Sequence, residues 1–303
     1  MSKVVLIDMS VLAFKSIFNY ELALKCRRGE FILPSDYGYF SSLIACLKKI
    51  NLSKEDTVIL CLDDKSWRKN YYAPYKAQRK EAREKHTLIN WDKEFNKISV
   101  INEKLQHATP FNVVRVTGCE ADDIFSVACR VFKDREVIIA SIDSDLHQLC
   151  FYPNVKMFNL NFKTSKGKGG YVRVSQEDAL NIIEKKVKRG DVADNILVDK
   201  DTDEEADVEL RRMIINLLVL PEFVEKPITE VLTSLPNKSE IVWDKLPFPE
   251  SLGKRFGDIY KPEFKLDYDY CLKLQEKRVI KKKEKECLKR KMKKEIKNGL
   301  PRK

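Results

Sequence analysis

The chain has 303 residues, 43% of them hydrophobic and 34% charged, enough to bury a sizeable core and too apolar for a disordered polymer. Its formal charge of +11 is carried by residues 277–303, where 14 Lys or Arg face 3 Glu, so the remainder is balanced. A neutral body with a basic tail points to a polyanionic partner, nucleic acid before membrane, and the eight cysteines hold no pair within three residues that could form a CxxC zinc half-site.

The first residues, Lys3 to Asp8, are too short and too soon interrupted for an export signal and read as a strand. With no apolar run long enough to span a bilayer, a cytoplasmic location is expected. Runs rich in β-branched residues predict further strands at 57–63, 112–116 and 136–142, and short ones within 151–175 around a glycine-rich loop at Gly167–Gly170. Helical periodicity marks 37–50, 91–107 and 120–133, the last with Ile124, Ala128, Val131 and Phe132 on one face. Continuously apolar strands alternating with helices imply an α/β fold with a mostly parallel sheet covered on both sides. From 176 the pattern turns helical, at 176–189 and 207–220; 221–270 is rich in Pro and aromatics without clear periodicity. The expected organisation is an α/β core over 1–175, a helical subdomain over 176–270 and a basic tail over 271–303.

Three predicted strands end in aspartate: Asp8, Asp63 and Asp143. The fourth leads into Glu120-Ala121-Asp122-Asp123 at a helix start; Asp145 follows Asp143, and Asp191 and Asp194 follow the helix at 176–189. Each has an ordinary explanation, since Asp ends strands, caps helices and starts turns. Together they are harder to explain. Carboxylates brought to one sheet edge repel each other unless cations neutralise them, and ligands of open α/β sheets bind at that edge. Without His or Cys partners such a set selects hard ions, Mg²⁺ or Mn²⁺. Two ions about 4 Å apart can activate a water and stabilise the leaving oxygen of a phosphodiester. The three histidines, His86, His107 and His147, are scattered and suggest no triad.

Residues 65–85 carry eight Lys or Arg against two Glu, with Trp67, Tyr71, Tyr72 and Tyr75 interleaved. A solvated charged helix would also look basic, but the aromatics favour a surface that holds single-stranded nucleic acid by stacking and charge. Placed just after Asp63, the segment reads as a lid or arch, extending over about 65–107.

The order Asp8, Asp63, YKAQR at 75–79, EADD at 120–123, SIDSD at 141–145 and GDVADN at 190–195 resembles the 5′ nuclease superfamily of flap endonucleases, and within it the replication nucleases of T-even phages. The likeness covers roughly residues 3–198. It implies a PIN-like α/β core, a helical arch and a helix–three-turn–helix-like subdomain that binds duplex DNA. It further implies a Mg²⁺-dependent 5′→3′ exonuclease and flap endonuclease that removes RNA primers from RNA–DNA hybrid and cuts flap DNA in replication. Carried over by position, Asp8, Asp63, Glu120, Asp122 and Asp123 shape the tighter metal site, Asp143 lies between the two Mg²⁺ ions, and Asp145, Asp191 and Asp194 serve the second. Lys76 and Arg79 match arch residues on the scissile phosphate, and Tyr75 an aromatic on a terminal base. The resemblance also implies a monomer, with single-strand-binding protein and sliding clamp as partners, in the host cytoplasm if phage-encoded.

After Asn195 the chain departs from the family. In place of a glycine-rich, lysine-containing hairpin that binds potassium stands an acidic stretch at 199–209, with seven Asp or Glu against Lys200, so no potassium site is carried over. The basic tail is then a candidate duplex-binding surface or a solubilising extension. Two rival readings remain open: a PIN-type single-strand ribonuclease, which would lack YKAQR and GDVADN, and a non-catalytic DNA-binding accessory protein, which would not need all nine acids.

Overall fold

Strand β1 (Val4–Asp8) is buried along its whole length, as a β-branched run between two layers of helices must be. The computed structural model describes residues 2–26, 32–164, 167–198, 204–238, 241–242 and 245–247; the predicted basic tail lies outside them. Among these residues, β1 leads directly into α1 (Met9–Lys25), followed by α2 (Ser35–Ile50) and β2 (Thr57–Cys61). The stretch read from the sequence as an arch forms α3 (Arg68–Tyr71), α4 (Gln78–Glu84) and α5 (Trp91–Ala108), the last of which packs on α2 and on the strand that follows it. The core resumes with β3 (Asn112–Val114), α6 (Ala121–Val131) and β4 (Val137–Ser141), then a 3₁₀ turn (Asp145–Phe151), β5 (Val155–Thr164) and β6 (Gly167–Val172). Helices α7 (Gln176–Arg189), α8 (Glu205–Ile215) and α9 (Glu222–Thr233) follow.

The six strands form one sheet in the order β3-β2-β1-β4-β5-β6, parallel throughout except for the antiparallel edge strand β6. Val4, Leu6, Ile59, Val137 and Ile139 pack into one core with Ile124, Phe125 and Ala128 of α6 and Val224 and Ile228 of α9. The alternate residues Val5, Ile7, Leu60 and Ile138 are equally inaccessible, so both faces are covered. Because β2 and β4 flank β1 on opposite sides, the chain reverses its direction of winding at β1 and β4. An open parallel sheet leaves its ligand crevice at such a switch point, beyond the carboxyl ends of the strands. That crevice is where Asp8 and Asp143 emerge.

Four details depart from the sequence reading. The glycine-rich stretch Gly167–Gly170 is the edge strand β6, not a loop, and Gly169 (φ 101°) lies so close to Phe158 that a Cβ there would meet its ring at 3.2 Å. Helix α1 went unpredicted because its strand-like start hides a helix capped by Asp8. Helix α9 lies inside the stretch that showed no regular period. The helix expected over 207–220 ends at Ile215, after which Leu217 and Leu220 turn into the core.

Candidate metal centre

Asp8 ends β1 and starts α1 with one side chain. Its Oδ1 accepts from the backbone N–H of Val11 (3.0 Å), an N-cap, and its Oδ2 accepts from the Ser141 hydroxyl (2.7 Å) at the end of β4. Asp63, two residues beyond β2, accepts from the Ser10 hydroxyl (2.5 Å) and from Ala121 N–H (2.8 Å), which ties it to the first turn of α6. Asp143 accepts from Asp145 N–H at 2.8 Å, folding the SIDSD segment back on itself. Burial, then the charges of Asp63 and Asp143, push the Asp8 carboxyl up to about 6, against the pull of Ser141 and Val11. Burial likewise raises Asp122 well above the ordinary carboxylate range, with Asp143, Glu120 and Asp63 adding to it and Lys76 opposing. Among the described residues no salt bridge reaches Asp8, Asp63, Asp122 or Asp143. These four share a field of negative charge.

Glu120 and Asp123 differ. They form a reciprocal capping box at the start of α6, and Arg68, only 2% exposed, reaches them both, at 3.0 Å to Glu120 and 2.8 Å to Asp123. Asp123 is fully buried and also accepts from Trp67 Nε1 (3.2 Å) and Glu120 N–H (2.9 Å), so its oxygens are taken up by protein donors. Glu120 accepts in addition from Lys76 (2.6 Å), the Tyr75 hydroxyl (2.9 Å) and Ser66 (3.0 Å). Burial alone would raise it, yet Lys76 and Arg68 hold its carboxyl down at about 2. The sequence reading singled out neither Arg68 nor Trp67 for this role. The only available signal was an Arg inside a basic segment, which looks like any surface cation.

The remaining acids form a second group. One carboxylate oxygen from each of Asp145, Asp191 and Asp194 lies within 4.8 Å of the others. Gly190 makes this possible: it ends α7 at φ 76°, and a Cβ there would meet the Ile196 carbonyl oxygen at 2.4 Å, so only glycine allows the reversal into Asp191. Asp191 then caps a 3₁₀ turn (Val192–Asp194), and Asn195 closes it in the left-handed region at φ 58°. Lys186 of α7 reaches both Asp145 and Asp191. A cavity of about 20 Å³, room for a single water or bare cation, is lined by the acids Asp122, Asp145, Asp191 and Asp194 and equally by Arg68, Tyr75, Ile196, Ile214, Ile215 and Leu217.

The segment Pro74–Arg79 is laced onto this turn. Lys76, with φ 54°, donates its N–H to the Asp194 carbonyl (2.9 Å); Gln78 donates to the Ala193 carbonyl (2.9 Å) and Asn195 to the Pro74 carbonyl (2.8 Å). Arg79, half exposed, reaches Asp194 at 2.7 Å. The Tyr75 ring is only 3% exposed and its hydroxyl spans Glu120 and Asp194 (2.9 and 3.2 Å); Trp67 is buried as well, and Tyr71 remains 49% exposed. Tyr75 thus turns inward onto two of the acids, while Trp67 and Tyr71 pack against Phe223 of α9.

All-oxygen donors, among them four carboxylates with no salt bridge among the described residues, fit hard divalent cations better than any other cofactor. A family profile described as 5′-3′ exonuclease, N-terminal resolvase-like domain matches residues 3–187. Ribonuclease H of Enterobacteria phage T4 is 30% identical over 159 residues, 49% of this chain and 50% of that protein, so the match spans about half the length of that curated relative. In fold the chain is similar to the bacteriophage T5 flap endonuclease, solved as a pseudo-enzyme-product complex with DNA and metal ions. That likeness has a TM-score of 0.50 at 17% identity and covers 90% of this chain and 99% of that one. A second T5 structure, co-crystallised with metal ions, gives a TM-score of 0.49 at 18% identity over 89% and 99% of the two chains.

Proposed function

This chain belongs to the 5′-3′ exonuclease family defined by the N-terminal resolvase-like domain, and from that premise we propose that it hydrolyses phosphodiesters with two Mg²⁺ ions. Its substrates in this reading are flap DNA, duplex DNA and the RNA of RNA–DNA hybrids, and its role is the removal of primers in replication. The observation that carries the reading is the set Asp8, Asp63, Asp122 and Asp143, none of them in a salt bridge among the described residues, with Lys76 the cation that opposes the raised Asp122. Asp8, Asp63, Asp122, Asp143 and Glu120 would hold one ion, and Asp143, Asp145, Asp191 and Asp194 the other. We assign Asp123 to structure, since it is fully enclosed with both oxygens on Arg68, Trp67 and the Glu120 N–H, whereas Glu120 would exchange Lys76 for the ion. Bound divalent ions supply a water of lowered pKa and stabilise charge on the leaving oxygen.

The chain's own residues supply placement and charge. Lys76 and Arg79 exchange their carboxylate partners for the scissile phosphate and offset the negative charge that grows on it. Tyr75 keeps Glu120 and Asp194 in register through its hydroxyl. Tying Lys76 to the Asp194 carbonyl and Asn195 to the Pro74 carbonyl fixes the segment Pro74–Arg79 relative to the acids, and fixed donors lose little free energy to reorganisation. Among the described residues no helix is long and apolar enough to cross a membrane. Monomeric action, replication proteins as partners and a cytoplasmic location belong to the same proposal.

The test is a 5′-labelled flap and a matched RNA–DNA hybrid, each incubated with Mg²⁺ and with chelator. Expected are chelator-sensitive short products from the 5′ end of both. A protein that binds both substrates and cuts neither would leave the accessory-protein reading standing. For the arch, Lys76→Ala and Arg79→Ala should each lower kcat by about 10²-fold and change KM less, as expected of a charge that acts in the transition state. Single-turnover rates equal to those of the unmodified protein would reduce the arch to a binding surface.

A further inference from the structure

The two halves of the acid cluster are electrostatically unequal. Asp8, Asp63, Asp122 and Asp143 carry no ion pair among the described residues, whereas every acid of the Asp145–Asp191–Asp194 group is met by a cation of the chain itself. Asp194 faces Arg79 at 2.7 Å and Lys76 at 3.7 Å, and Lys186 bridges the other two, lying 2.5 Å from Asp191 Oδ2 and bonded to Asp145 Oδ1. Lys76 and Arg79 have a proposed use on the phosphate. Lys186 has none.

Its geometry is not that of an incidental surface pair. Residues five apart do not face each other along a helix. Lys186 meets Asp191 only because the chain reverses at Gly190, whose φ and close contact with Ile196 exclude a side chain. The same lysine reaches across to the 3₁₀ turn after β4, so it joins the two chain segments whose acids converge there. Its side chain is 23% exposed, against 22% for Asp145 and 9% for Asp191, so the bridge is shielded from water on the Asp191 side. In such a place an ammonium is held by charge-assisted hydrogen bonds that a divalent ion must replace.

We infer that Lys186 is a resident counter-ion of the Asp145–Asp191–Asp194 site, displaced when a divalent cation enters, and that it sets the concentration of divalent ion this site requires. Lys186 is thus a tuning residue for the second ion, acting through the ligands and not on the substrate. The inference rests on the two-ion reading above. It also gives that reading a consequence: the site in which Glu120 is the one proposed ligand paired with cations of the chain fills first, and the site whose Asp145, Asp191 and Asp194 are all so paired fills second.

Binding of Mn²⁺ alone to the full chain, followed by titration calorimetry and by the loss of the free-ion paramagnetic resonance signal, separates the possibilities. The unmodified chain should take up two ions with unequal dissociation constants. Lys186→Met should tighten the weaker constant by on the order of tenfold, since one positive charge beside the ion is removed, and leave the stronger constant within about twofold. Lys186→Arg, which keeps the charge, should bind the second ion as weakly as the parent. The Mg²⁺ concentration for half-maximal cleavage should fall in Lys186→Met and not in Lys186→Arg. A weaker constant that is unchanged or poorer in Lys186→Met, in protein with parental circular dichroism, overturns the inference while leaving the nuclease reading intact. Should Lys186→Met not fold, Lys186→Gln replaces it under the same criterion. A parent chain with no saturable Mn²⁺ uptake overturns the two-ion reading, and this inference with it.

Discussion

Asp8→Asn is expected to yield a protein that is more stable without metal and nearly inactive with it. The carboxyl of Asp8 sits at about 6 in the folded chain, above its ordinary value near 4. A raised carboxyl destabilises the fold once it is ionised: the folded state is favoured below the unfolded pKa, and stability declines as pH climbs between the two values. That displacement corresponds to up to about 3 kcal/mol at pH 8, less whatever the partner acids recover. Asparagine keeps the cap on Val11 and can donate to Ser141, so it removes charge without removing shape. In metal-free buffer the melting temperature of Asp8→Asn should therefore exceed that of the parent by several degrees at pH 8 and match it near pH 4. Added Mg²⁺ should raise the parent's melting temperature more than the variant's. Turnover should fall by about 10³-fold or more, the equivalent of several kcal/mol of lost transition-state stabilisation. A variant equally active at ordinary Mg²⁺, or less stable at pH 8 without it, would remove Asp8 from the ion-binding set.

Arg68→Met carries the largest expected loss of stability. The guanidinium is almost wholly buried and donates to Glu120, to Asp123 and, through Nε, to the Ile214 carbonyl at the end of α8 (2.8 Å). Its pairing with Asp123 and Glu120 keeps it charged despite burial, which by itself would lower its pKa. Breaking a buried pair from one side costs about 3–5 kcal/mol, mostly from the charge left without a partner. In a domain of this size each kcal/mol moves the melting temperature by about 2–4 °C, so a drop on the order of 10 °C is expected. Asp123→Leu combined with Arg68→Met should recover much of it, because replacing both partners by apolar groups is close to neutral. Asp123→Asn alone should lower stability while leaving Mn²⁺ dissociation constants within about twofold. Ion affinity lost in Asp123→Asn at unchanged stability would instead return Asp123 to the ligands.

The two results concern acids that look alike in the sequence and differ only in their neighbours. In EADD, Glu120, Asp122 and Asp123 are equivalent candidates, all at the start of one helix. The helix rotates each residue by about 100°, so Asp122 stands among the acids while Asp123 turns back to Arg68 and Trp67. Nothing local distinguishes them, since the partner that separates them comes from a segment more than fifty residues away.

By itself the sequence determined the layered architecture. Val4–Asp8, Thr57–Cys61, Asn112–Val114 and Val137–Ser141 are short, mostly apolar runs rich in β-branched residues, the pattern of strands buried on both faces. The helical periods between them require a parallel sheet. It also placed the acids at the strand ends, because the apolar run stops where the chain leaves the core. Tertiary structure alone decided which charges meet. Lys186 and Asp191 come together through the reversal at Gly190, Lys76 and Asp194 through the lacing of the segment Pro74–Arg79, and Arg68 and Asp123 through burial between α6 and α8. Coulomb interactions and hydrogen bonds depend on distances of a few ångströms in space, and separation along the chain does not fix those distances. The tyrosine at 75 shows the same division: composition marked it as an aromatic among cations, and only its packing shows a ring turned inward with its hydroxyl on two carboxylates.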